Sequence, residues 1–338
     1  MNIYITLDYE LRLELDPGTV KNCLIRPSEA LMNICDKTKS KMTFFVDGAY
    51  IYRLNQLKNI SAALSRDYDE VLSNIHNLSI HGHSIQYHFH PQWLFSNYKE
   101  GYGWIMDFDH YKLSDVPDDI LKESFSDGIK FLKSITGKDI CAYRAGGYSL
   151  CSPDIYIPLF DENGIKIDSS VLPGTYVKSK LQTYDYRITP KKSKYFFYEN
   201  VCEESLDTKK SYIEMPISTG LPISSIRYLL EKKRLLEELS PDVYFADGGG
   251  GGNMPKLDRL KELCSKLFNK EYPRASIDSF RALNLWSIYK QNKDIGNSDM
   301  VVIGHPKAAS INSLRIVEKW ISDMVNEGNE FKTFEDIL

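Results

Sequence analysis

Short apolar runs alternate along this chain with segments whose apolar residues recur at helical spacing. The runs are NIYITLD (2–8), MTFFVD (42–47), SIQYHFH (84–90), ICAYRAG (140–146), IKID (165–168), YIEMPIS (212–218) and DMVVIGH (299–305). Helices are predicted over 28–39, 61–77, 118–136, 152–164, 226–239, 255–268, 277–292 and 310–327. Pro27 and Ser28 start the first of these and Gly137 stops the third. Repeated strand–helix units predict an α/β fold with a mostly parallel sheet, either closed as a barrel or open and doubly wound. Both architectures collect functional residues at the C-terminal strand ends. Asp8, Arg144, Asp168 and His305 all stand at such ends.

Composition removes several classes of function. With 338 residues, 42% of them hydrophobic, the chain can bury one large core or two ordinary ones. The net charge of −4 comes with no basic block, so nucleic acid is excluded as the expected partner. No apolar run approaches the roughly 20 residues of a transmembrane helix. MNIYITLDYE lacks the basic region of a signal peptide and reads as a first buried strand. Six cysteines, at 23, 35, 141, 151, 202 and 264, form no CxxC pair; this suits a reducing compartment and predicts a cytoplasmic protein. A single domain over 1–338 is expected, with insertions near 175–212 and 245–255. The Gly248–Gly252 run reads as a flexible connection rather than a lid. Nothing in the sequence signals an oligomeric state.

HGHSIQYHFHP (81–91) holds four of the seven histidines. In extended chain, residues i and i+2 face the same way, so His88 and His90 can share one divalent ion. Imidazole suits zinc, with iron, cobalt or nickel as alternatives, and a catalytic site leaves one position open. The carboxylates of DYE (8–10) share a face by the same rule and can supply the third ligand. His81 and His83 precede the strand and read as surface or turn histidines. His305 follows an apolar strand and suits a general acid, with Asp168 as the candidate carboxylate that keeps it protonated. Arg144, in YRAGGYS, can orient a carboxylate or clamp an anion, and the N–H groups of 146–148 can face a developing oxyanion.

Taken in order, these segments resemble the NodB-like polysaccharide deacetylases, carbohydrate esterase family 4, in a branch with DxE and HxH motifs. TLDYE is similar to the first motif, GHSIQYHFHPQW to the second, YRAGGYS to the third, GIKIDSSV to the fourth and VVIGHPK to the fifth. NEFKTFEDIL is similar to the closing strand. The resemblance implies a distorted (β/α)7 barrel spanning nearly the whole chain. It implies Asp8 as catalytic base, Glu10, His88 and His90 as metal ligands, and Arg144 as the residue that orients Asp8. Tyr148 would line the pocket and offer its backbone N–H, Asp168 would tune the acid, and His305 would be that acid. The chain departs from the family in lacking an adjacent DD, an HxxxH and a tryptophan after Asp168; whether Asp8 or Glu10 ligates the metal stays open. The implied activity is metal-dependent removal of acetyl from an N-acetyl sugar, a nucleotide- or lipid-linked precursor in surface polysaccharide or glycoconjugate assembly.

Three other readings fit parts of the sequence. The same site could hydrolyse another amide, such as a formamide or a cyclic ureide. A decayed barrel could bind sugar without turnover. A cysteine or serine hydrolase would need Cys141 or Cys151 paired with a histidine, and no sequence feature pairs them.

Overall fold

The structure, a computed structural model, describes residues 1–246 and 270–338. The pentaglycine 248–252 and the helix predicted over 255–268 lie outside the described residues.

The strands of the main sheet are β1 (Asn2–Tyr9), β2 (Thr43–Asp47), β3 (Ser84–Phe89), β4 (Ala142–Ala145), β5 (Ile167–Asp168), β6 (Tyr195–Phe197), β7 (Tyr212–Glu214), β8 (Asp299–Gly304) and β9 (Glu330–Phe331). They form one sheet in the order β6-β7-β5-β4-β3-β2-β1-β8, with β9 paired to the start of β1. From β7 to β8 every pairing is parallel; only β6 runs antiparallel, on β7. The sheet curls until its ends are bridged. Ser218 N donates to Val301 O (3.0 Å), Ala275 N to Ser218 O (2.8 Å) and Ile303 N to Ala275 O (3.0 Å). Seven parallel strands joined in this way place all their C-terminal ends at one mouth.

Helices cover the outer face, as apolar runs buried on both sides demand. They span Arg26–Thr38, Gly48–Leu57, Ala62–Ile80, Asp118–Thr136, Pro153–Asn163, Ser225–Glu238, Leu285–Asp294 and Ile311–Asn326. Ile3, Ile5 and Leu7 on β1 are fully buried, as are Phe44, Phe45 and Val46 on β2. None of the described helices is long and apolar enough to cross a membrane.

Two segments differ from expectation. The helix Gly48–Leu57 was not foreseen; the Asp47 side chain caps it by accepting from Tyr50 N at 3.4 Å, and its aromatic-rich sequence reads like strand. The helix expected over 277–292 becomes regular only at Leu285. Its first residues are drawn into the sheet instead, because Ile277 N bonds Ile303 O (3.0 Å) on the edge of β8. The tyrosine-rich stretch before β7 contains a hairpin, Tyr176–Lys178 against Thr183–Asp185.

Candidate metal and acid–base site

At the mouth, β1 and β3 set the pattern. Asp8 and Glu10 follow one another at the two-residue period on β1 and its extension, as His88 and His90 do on β3. Glu10 Oε2 lies 2.6 Å from His90 Nε2 and 3.2 Å from His88 Nε2. All three side chains are buried. His88 Nδ1 lies 2.6 Å from the Arg144 carbonyl oxygen. Donating there fixes the tautomer and leaves Nε2 bare in the neutral ring, as metal-ligating histidines require. His90 is seated by Gly146, where a Cβ would come within 2.8 Å of His90 Nδ1 and 2.7 Å of the Phe89 carbonyl oxygen. Burial alone would raise the Glu10 carboxyl, but the charge of Lys307 and the two imidazoles hold it well below its ordinary value. Burial would lower His88, and Asp8 together with the bonded Glu10 instead raises it to about 9. One ligand atom from each of Glu10, His88 and His90 falls within 4.8 Å of the others, and the same holds for Asp8, Glu10 and His305. The first set has the composition and closeness of a divalent-ion site.

Arg144 organises the floor of the mouth. A fully buried guanidinium is tolerated only when its donors are engaged. Here Nη1 bonds Asp8 Oδ1 (2.7 Å), Nε bonds Ser169 O (2.9 Å), and Nη2 bonds Thr6 Oγ1 (2.8 Å) and Ser169 Oγ (3.0 Å). The Phe45 ring lies beneath it, 4.3 Å from Cζ. Asp8 thus has one oxygen fixed by Arg144, while the other faces His305 Nε2 at 3.6 Å.

Six of the residues singled out in the sequence therefore converge: Asp8, Glu10, His88, His90, Arg144 and His305. Tyr148 joins them on the wall, at φ 60° in the turn after β4. Asp168 does not reach His305. Its carboxylate accepts from Ser170 N (3.0 Å) and Ser170 Oγ (2.7 Å) and lies beside buried Glu214. β5 ends too far round the curled sheet, and the carboxylate on His305 is Asp278, whose Oδ2 lies 2.8 Å from Nδ1. His83 is another correction: it is fully buried, accepts Met42 N on Nδ1 (3.2 Å), and is lowered to about 4 by burial and by Lys41. His81 is exposed, as expected. Burial pushes the Cys141 thiol up to about 11 and also raises Cys151, the reverse of what a thiolate nucleophile needs.

Three residues of the site went unread in the sequence. Asp278 was assigned to a helix, although the alternation ASID is a strand signal. Lys307, after Pro306, was not singled out, yet its Nζ bonds Glu10 Oε1 (2.9 Å) and Leu11 O (2.8 Å). Asp47 ends β2 as Asp8 ends β1, so the strand-end rule could have found it; its Oδ1 takes His90 N at 3.1 Å.

Among solved structures, a protein of Mycobacterium smegmatis designated a polysaccharide deacetylase matches 99% of this chain and 88% of its own. Its TM-score is 0.51 and its identity 17%. Puue allantoinase matches over 99% and 88%, at 0.48 and 13%. A protein of Pseudomonas aeruginosa PAO1, also designated a polysaccharide deacetylase, matches over 99% and 89%, at 0.49 and 11%. No family model and no curated protein matches the sequence. At these identities the likeness is one of fold: the chain has the distorted barrel of the polysaccharide deacetylase type.

Proposed function

We propose that this chain is a metal-dependent N-deacetylase that removes acetyl from an N-acetyl sugar in surface polysaccharide or glycoconjugate biosynthesis. The observation that carries the reading is the meeting of Glu10 Oε2 with the Nε2 atoms of His88 and His90, beside a carboxylate–imidazole pair, Asp8 and His305. Glu10, His88 and His90 would hold the ion, most suitably zinc, with iron, cobalt or nickel also compatible with this donor set. A bound divalent ion would supply Lewis-acid polarisation of the acyl carbonyl and acidify a water.

The protein's own residues would do the rest. Asp8, held at one oxygen by Arg144, takes the proton of the attacking water on the other. The backbone N–H of Tyr148 donates to the oxygen on which negative charge develops. His305, kept charged by Asp278, protonates the departing amine, since an unprotonated amine is a poor leaving group. Acetate and a free amino sugar are the products.

Acetate release from a panel of N-acetyl sugars, free and nucleotide-linked, tests the reading. It should appear with metal, vanish on chelation and be absent in His88→Ala. Formate release instead would favour the other-amide reading, and a stoichiometric ion without turnover would favour a sugar-binding protein. Turnover that survives both chelation and His88→Ala would overturn metal dependence.

A further inference from the structure

Arg274 stands on the wall of the same mouth, and among the described residues no carboxylate oxygen lies within ion-pair distance of it. Its backbone is fixed on both sides: Gly220 N bonds Pro273 O (2.7 Å) and Ala275 N bonds Ser218 O (2.8 Å). The side chain is half-buried, and among the described residues its one hydrogen bond runs from Nη1 to Tyr148 Oη at 2.8 Å. The Asp278 charge reaches it without a direct ion pair. Asp278, four residues on, is already occupied, because its two oxygens accept His305 N and face His305 Nδ1. Among the described residues its other donors make no hydrogen bond.

The neighbours of Arg274 are aromatic. Its Cζ lies 5.9 Å from the Tyr148 ring centroid. Tyr184 meets Tyr148 edge-on at 6.0 Å and stacks on Tyr186 at 5.0 Å. Tyr186 Oη donates to Tyr148 O (2.7 Å), which ties the wall to the turn after β4. A phenol can be oriented by any neutral donor. No formal charge is needed for that purpose, and the Asp278 charge that reaches Arg274 is shared with His305 and Arg281. A guanidinium with open donors is suited to the two oxygens of a phosphate or carboxylate, and flat rings beside it suit a sugar face.

We infer that Arg274, with the Tyr148 and Tyr184 rings, forms an anion subsite, so that the substrate carries a phosphate or carboxylate close to its acylated amine. The subsite depends on the deacetylase reading only for the word substrate. Binding by the metal-loaded protein tests it without turnover, using glucose 1-phosphate, glucuronate and glucose as probes in titration calorimetry. The wild type should bind at least one of the two anions about tenfold or more tighter than glucose. The preferred anion identifies the source. Arg274→Gln should lose this preference, Arg274→Lys should keep part of it, and Tyr148→Phe should keep it. No anion preference in the wild type, an unchanged preference in Arg274→Gln, or its loss in Tyr148→Phe would overturn the subsite. Acetate release from N-acetylglucosamine and its 1-phosphate separates the two ideas. Anion preference without any acetate release leaves the subsite standing and removes the deacetylase. Acetate release without anion preference does the reverse.

Discussion

His305 Nδ1 lies 2.8 Å from Asp278 Oδ2, and the other oxygen of that carboxylate accepts the His305 backbone N–H, also at 2.8 Å. Burial alone would push the imidazole down. The Asp278 charge and hydrogen bond, with Asp8 and Glu10 behind them, raise it above its ordinary value. Burial also works against the Asp278 charge, but His305 holds that carboxyl down at about 2. On the proposal that His305 is the general acid, which works while protonated, the raised imidazole would extend activity toward alkaline pH. In Asp278→Asn the largest support of the imidazolium is lost, and the alkaline limb of kcat/KM against pH should move to lower pH, with activity near neutrality falling about tenfold or more. Profiles of the two proteins that superimpose would remove Asp278 from this role.

What the sequence could show follows from period and position. Asp8 with Glu10, and His88 with His90, are legible because two residues is the repeat of a strand. The convergence of β1, β3, β4 and β8 follows from parallel βα order. Which carboxylate meets His305 is not written locally. Asp168 ends a strand and sat earlier in the chain, whereas Asp278 reaches the site only because 275–277 is pulled onto β8. The partnership of Lys307 with Glu10 joins residues 297 positions apart, a pairing no local pattern reveals.

Asp8 and Glu10 should separate in their effects. Arg144 holds Asp8 Oδ1 at 2.7 Å, while Glu10 Oε2 faces both imidazoles. Asp8→Asn should abolish turnover and retain a stoichiometric ion, and His305→Ala should lower kcat by about 10²–10⁴-fold with the ion retained. Glu10→Gln, His88→Ala and His90→Ala should each lose the ion on dialysis. Elemental analysis decides, and loss of metal from Asp8→Asn would exchange the two carboxylates' roles.

Metal uptake should depend on pH through His88. The metal-free imidazole is opposed by burial yet raised to about 9, chiefly by Asp8 and the bonded Glu10. Only the neutral ring can ligate, so an ion must displace that proton. Affinity measured against a chromophoric chelator should climb through the neutral range and level off near pH 9, with about one proton released per ion from this residue. A flat affinity between about pH 6 and about pH 8 would show that binding displaces no proton from His88.

Lys307→Met should destabilise the metal-free protein more than the loaded one. Lys307 Nζ sits 2.9 Å from Glu10 Oε1 and balances a carboxylate buried among imidazoles. Removing one partner of a buried pair costs about 3 kcal/mol, and a bound divalent cation replaces the missing charge. Thermal melts should show the variant several degrees below wild type without metal, with most of that gap closed by saturating zinc. An equal gap in both conditions would mean that Lys307 acts through packing alone.

Glu214 and Asp168 predict a pH-dependent term in stability away from the reacting centre. Both carboxyls are fully buried and adjacent, and Glu214 Oε1 takes the Val171 N–H at 3.2 Å. Burial, and then the neighbouring Asp168, raises Glu214 well above its ordinary 4.5; burial raises Asp168 as well. An acid whose pKa is higher in the folded than in the unfolded chain holds its proton more tightly when folded. Its stabilising contribution is complete below the unfolded value and is lost as pH rises through the folded one. Glu214→Gln keeps an oxygen for Val171 N and carries no proton to lose. Its melting temperature relative to wild type should therefore rise between about pH 5 and about pH 8. An offset that stays constant over that range would show that the pair ionises in the folded protein as it does in the unfolded chain.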